Sequence, residues 1–173
     1  MALDQGLDTG PIYESIPVEI APSETAAELT MRLGDLGTGA LIARLAAGLS
    51  GIGSPTPQVG DATYAEKLSV EDRHLDFSKS ALECLRVVRI GRAWTSFRDN
   101  RLIVHAAHLG EAPGAGIANS ASNTVVPGWL EHGTVVTGDG ALVLDVVQLA
   151  GRAPQGFLQF ANGAQPSAGE ILG

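Results

Sequence analysis

The chain has one cysteine, Cys84, so no intrachain disulfide can form, and a reducing compartment is the simpler expectation. It also lacks a basic excess. With 11 basic against 19 acidic residues the net charge is −8, which excludes a broadly cationic surface for nucleic acid or anionic membranes and leaves only a local patch. No window approaches about 18 uninterrupted apolar residues, and the first residues carry no basic stretch followed by an apolar one, so the expectation is a soluble, cytoplasmic protein without a membrane partner. Histidines 74, 105, 108 and 132 have neither the HxxxH spacing nor the cysteine partners of a zinc site, so no metal is expected. The glycines around Gly37 and Gly39 form no GxGxxG after a strand, which rejects a dinucleotide site.

What is present is enough apolar material for a core: 45% hydrophobic residues and a mean hydropathy of +0.15 over 173 residues. The run IYESIPVEI (12–20) alternates Ile16, Val18 and Ile20 and predicts a strand, with Pro17 suiting an edge position. Thr25-Ala-Ala-Glu28 is a capping box that opens a helix, along which Leu29, Leu33, Leu36, Leu41 and Leu45 form an apolar stripe until GLSGIGSPTP (48–57) stops it. One strand and one helix are too little for a layered α/β core, so residues 1–54 read as the tail of a larger domain. Residues 55–77 mix proline, glycine and charge and read as a surface linker.

From residue 78 the pattern changes. Ser80-Ala-Leu-Glu83 is a second capping box, opening a short helix to about Ile90 with Leu82, Leu85 and Val88 as its apolar side. AWTSF, RLIVHAAHL, GTVVT and ALVLDVVQL then read as strands, separated by turns at Asp99-Asn100 and Gly138-Asp139-Gly140. PQGFLQFANG (154–163) is expected to form a helix packing Phe157, Leu158 and Phe160, and GAGIANSASN (114–123) to be a surface loop. Several short strands joined by turns predict a small β-barrel or sandwich over residues 78–173.

Three features carry possible chemistry. Asp8, in ALDQGLDTGP (2–11), is either a turn residue or a working carboxylate. Cys84, beside Leu85 in the short helix, reads as a small buried hydrophobe rather than a nucleophile. Arg86, Arg89, Arg92, Arg98 and Arg101 place five of the 11 basic residues within sixteen positions, opposed there only by Asp99. Such a cluster is either a solvated face or a patch that tracks phosphates, with Trp94 belonging to the core or adding stacking.

In order, DQGLDTGPI, TAAELTMRLGDLG, TPQVGDATYAEKLSVEDRHLDF, GDGALVLDVVQLAGR and PSAGEILG resemble the second half of the methionyl-tRNA formyltransferase family. The resemblance implies an α/β remnant, the end of a Rossmann-like formyltransferase domain over residues 1–54. A linker over 55–77 and an OB-like barrel with short flanking helices over 78–173, binding tRNA, would follow. It implies formyl transfer from 10-formyltetrahydrofolate to the amino group of methionyl initiator tRNA, with no protein partner. Carried onto this sequence, the catalytic aspartate is Asp8, the loop beside the folate includes Gly6 and Thr9, and Lys67 joins the arginine patch on the tRNA-facing side. The family's catalytic asparagine and histidine lie upstream of the Asp8 motif, so the chain by itself is expected to be inactive. RIGRAWT replaces the proline- and tryptophan-containing turn of many members, which alters the entry to the barrel. A fragment of a related sugar-nucleotide formyltransferase and a stand-alone RNA-binding module are the alternative readings.

Overall fold

The structure, a computed structural model, describes residues 1–48, 53–111 and 126–173. Residues 114–123, expected as a loop, lie outside the described residues. The chain divides into two compact units, Met1–Lys67 and Leu68–Gly173.

The first unit is built around helix α1 (Ala26–Ala46). Its capping box is formed as the sequence predicts: the Glu28 backbone N–H donates to Thr25 Oγ1 at 3.3 Å, and the Thr25 backbone N–H donates to the Glu28 carboxylate at 2.8 Å. Gly48 follows the last turn at φ 78°, a left-handed conformation that costs glycine little. No residue of α1 is buried within the unit. Leu33, Leu36, Leu41 and Leu45 of the expected stripe are between 42% and 59% exposed, and with Tyr13, Ile16 and Val18 they line an open cleft of about 510 Å³. The strand expected over residues 12–20 is not formed. Only Ile12 pairs, exchanging two 2.8 Å backbone hydrogen bonds with Thr56, and the rest is irregular. Alternating residues need a partner strand to become a ladder, and Pro17 has no N–H to contribute to one.

The second unit is a curled antiparallel sheet with helices against it. A 3-10 turn (Glu71–Arg73) precedes helix α2 (Ala81–Ile90), and the strands are β1 (Ala93–Phe97), β2 (Asn100–Gly110), β3 (Trp129–Glu131), β4 (Thr134–Val136), β5 (Ala141–Leu149), β6 (Gln155–Gly156) and β7 (Glu170–Ile171). Helix α3 (Phe157–Ala164) lies between β6 and β7. The strand order is β1-β2-β5-β4-β3-β7, with β6 also pairing β5. The register between β2 and β5 shifts at His105, a bulge that bends the long strands. Beyond β7, the Gly173 N–H reaches the Ser96 carbonyl of β1 at 3.2 Å, so the two ends of the curled sheet meet.

Period-two burial explains the inner face: Ala93, Thr95 and Phe97 of β1 and Leu102 and Val104 of β2 are all buried. They join Leu130, Val135, Leu142, Leu144, Val147, Phe157, Phe160 and Leu172 in one core. Leu75 and Phe77, within the stretch read as linker, belong to this core at 1% and 4% exposure. Pairing explains their place: the Leu75 N–H donates to the Trp94 carbonyl at 2.8 Å, and the Phe77 carbonyl accepts from Gly138 N–H at 2.8 Å. Removing each such side chain from water contributes about 1.5–3 kcal/mol.

The Ser80 capping box is formed, with Ser80 Oγ accepting from Glu83 N–H at 3.3 Å. The buried face of α2, however, is Ala81, Cys84 and Val88, whereas Leu82 is 46% exposed. The Ala81 N–H donates to the Asp139 carbonyl at 2.8 Å, anchoring the first turn and setting the roll of the helix about its axis. In α3, Phe157 and Phe160 are buried as expected, and Leu158 is 80% exposed, on the opposite side from that pair.

Candidate functional site

The Asp8 loop is held by its main chain. Ala2 N–H donates to the Pro11 carbonyl at 2.8 Å, and the Gln58 side-chain amide donates to the carbonyls of Asp8 and Gly10 at 2.7 and 2.8 Å. Asp8 takes φ 55°, a left-handed conformation that aspartate tolerates better than most residues. Gly6 lies against Thr9, where an added Cβ would meet the threonine Oγ1 at 2.5 Å, and Gly10 packs against the Ala2 carbonyl. The loop is thus closed by small residues and backbone bonds. Asp4 caps a neighbouring backbone, accepting from Gln5 N–H at 2.7 Å, whereas Asp8 enters these bonds only through its carbonyl and presents its carboxylate to solvent. Thr9 is also exposed.

Lys67 and Arg86 are exposed, Arg89 is half-buried on α2, and Arg92 follows α2 at φ 59°. Arg98 and Arg101 sit on the β1–β2 hairpin but differ in what they hold. Phe97 pairs Asn100, so Arg98 and Asp99 form a two-residue turn with φ 50° and 62°. The Arg98 guanidinium reaches Glu170 with bonds of 2.6 and 2.9 Å, and it donates to the Ala164 and Gln165 carbonyls at 3.0 and 3.1 Å. It therefore ties the end of α3 and the C-terminal segment to the hairpin, and it holds the Glu170 carboxyl below its ordinary pKa.

Arg101 instead lies over the Trp94 ring, 4.2 Å from the centroid. Trp94 alternates with the inward Ala93 and Thr95 and sits half-buried on the outer face of β1, not in the core. Its Nε1–H donates to the Val70 carbonyl at 2.8 Å, and the His74 ring packs 4.5 Å from it. Sequence reasoning missed this stack, although the alternation in AWTSF carried the signal once Ala93 and Phe97 were placed inward. His74 and Arg86 line a small depression of about 210 Å³ with Lys79, Asp76 and Glu83. The two carboxylates there accept from Ser78 and Ser80 respectively, which holds both below the ordinary carboxylate range.

Cys84 is 2% exposed, and burial pushes its thiol up to about 11, which removes it as a nucleophile near neutral pH. Among the described residues no group of three or more His, Cys, Asp or Glu side chains can hold a metal ion, and no helix is long and apolar enough to cross a membrane.

Comparisons with known proteins bear on what this arrangement serves. Residues 67–165 match the family described as formyl transferase, C-terminal domain. The chain is 35% identical to the methionyl-tRNA formyltransferase of Streptomyces avermitilis over 99% of its length and 34% identical to that of Stutzerimonas stutzeri over 100%. It spans about half of those relatives, 55% of each. Among solved structures it resembles HypX from Aquifex aeolicus with a TM-score of 0.62 at 17% identity, over 97% of this chain and 30% of that one. A second structure of HypX, in complex with tetrahydrofolic acid, gives 0.61 at 15% identity, over 96% of this chain and 30% of that one. The chain belongs to the formyl transferase C-terminal domain family.

Proposed function

We propose that the chain is the C-terminal part of a methionyl-tRNA formyltransferase, which moves a formyl group from 10-formyltetrahydrofolate to the amino group of methionyl initiator tRNA in the cytoplasm. One observation carries this reading: relatives of that name match at 34–35% identity across 99–100% of the chain while extending to nearly twice its length. Residues 1–54 are then the end of the Rossmann-like catalytic domain. A linker and the barrel-like unit follow. The unpartnered leucines of α1 fit a helix whose companions belong to the rest of that domain.

In the reaction a neutral amine attacks the formyl carbon and the carbonyl becomes a tetrahedral oxyanion. Its collapse breaks the bond to the folate nitrogen and releases tetrahydrofolate with that nitrogen protonated, and a proton must leave the attacking nitrogen. Asp8 is the residue of this chain suited to that last task, because its carboxylate faces solvent on a loop braced by Gln58. Gly6 and Thr9, in the same loop, lie beside the folate donor. Lys67, Arg86, Arg89, Arg92 and Arg101 face the tRNA, and Arg98 contributes through the hairpin it braces. The oxyanion also needs a preorganised donor. Asn100, Asn119, Asn123 and Asn162 are the asparagines present, and none has a histidine two residues on.

The isolated chain should therefore bind initiator tRNA, with affinity falling as salt rises, yet give no formyl-methionyl-tRNA above background. Filter binding together with a formylation assay checks both. Robust turnover by the 173-residue chain, or no tRNA binding at low salt, would refute this reading.

A further inference from the structure

The arginine cluster is not uniform, and the difference singles out one member. Arg98 spends its guanidinium on Glu170 and two carbonyls. Arg101 lies over Trp94 with its guanidinium carbon 4.2 Å from the ring centroid, and among the described residues its guanidinium makes no hydrogen bond or ion pair. The indole beneath is fixed by its bond to the Val70 carbonyl and by the His74 ring, so the guanidinium rests on a braced platform. The Arg101 side chain is exposed, so its N–H groups stay open to a ligand. Register keeps the pair together: Arg101 stands opposite Ser96 and Ile103 opposite Trp94, making arginine and tryptophan diagonal neighbours on the outer face of the hairpin.

A planar cation seated on an aromatic ring with unspent donors suits a ligand offering both a π-face and a phosphate, which is a nucleotide whose base is not paired. The neighbouring depression sets Arg86 and Lys79 against the carboxylates of Asp76 and Glu83 and so adds no net charge, which leaves the recognition to Arg101 itself. We propose that Arg101, seated on Trp94, receives an unpaired nucleotide of the bound RNA: the base stacks on the guanidinium, and an adjacent phosphate meets the N–H edge. This rests on the reading above that the partner is a tRNA.

The test compares the full chain with Arg101→Ala and Arg101→Lys, titrated with initiator tRNA, with a short single-stranded oligonucleotide, and with a blunt RNA duplex. Circular dichroism verifies folding of each variant. Arg101→Ala should weaken tRNA and single strand about tenfold, in line with the loss of one stacked base. Arg101→Lys, which keeps the charge but not the plane, should restore the salt slope while leaving the single strand several-fold weak, and should bind the duplex like the parent. Full recovery of single-strand binding by lysine, or tRNA binding unchanged in Arg101→Ala, overturns this inference while the reading of the partner as tRNA stands. Failure of the parent chain itself to bind tRNA overturns both.

Discussion

Arg98 and Arg101 are three residues apart and indistinguishable by type, yet one is a brace and the other an open cation. The sequence exposes the cluster because it is a local excess in an acidic chain. It does not expose the partner of Arg98, since Glu170 is 72 positions away and only the fold brings the two together. The pair makes a residue-scale prediction. Because Arg98 lowers the Glu170 pKa, the carboxylate contributes stability that is fully present above the ordinary glutamate range and is lost as pH falls through its lower folded value. Arg98→Ala and Glu170→Gln should each lower the thermal midpoint at pH 7. The double variant should fall short of the sum of the two, and the gap from the parent should narrow as pH falls from the ordinary glutamate range through the lower folded value. Midpoints that add fully, or a gap independent of pH, would assign the two residues to separate roles. Asp8 shows the opposite kind of legibility: its residue type and glycine-bracketed context are visible in sequence, but only the structure separates it from Asp4, which caps its neighbour's backbone.

Elements with their signals inside a few residues were readable. Both capping boxes start their helices where the sequence places them, since the Thr25–Glu28 and Ser80–Glu83 bonds are local. Four of the strands, β1, β2, β4 and β5, were visible for the same reason, whereas β3, β6 and β7, of two or three residues, were not. The strand expected over residues 12–20 was not formed because a strand depends on a neighbour, and the roll of α2, which exposes Leu82 while burying Cys84 as expected, depends on the distant turn at Asp139. That turn carries its own prediction. Gly138 donates to the carbonyls of Phe77 and Lys79, both at 2.8 Å, and an added Cβ would run into the Ser78 carbonyl. Gly138→Ala should cost about 1–3 kcal/mol in urea unfolding, as overpacked sites do. Gly163→Ala in α3, where nothing lies within 4 Å of the added carbon, should be neutral or slightly stabilising. Equal stability of the two variants would contradict the close approach that locks the β4–β5 turn onto the segment before α2.

At the scale of the molecule, the second unit encloses a single core, whereas the helix of the first unit buries none of its residues within its unit. The helix stripe without a covering layer agrees with the proposal that residues 1–54 end a larger domain. The relatives extend to nearly twice this length. We propose that Asp8 works in formyl transfer once that remainder is supplied. The direct measurement is formylation of methionyl initiator tRNA by a chimera carrying residues 1–173 in place of the corresponding 55% of the Streptomyces avermitilis relative. Asp8→Asn and an amino-sugar nucleotide acceptor serve as controls. The chimera should give 10-formyltetrahydrofolate-dependent formyl-methionyl-tRNA, with a loss of at least about 10²-fold with Asp8→Asn and no transfer to the sugar nucleotide. A folded chimera that formylates the sugar nucleotide instead, or formylates tRNA equally well with Asn at position 8, would contradict it.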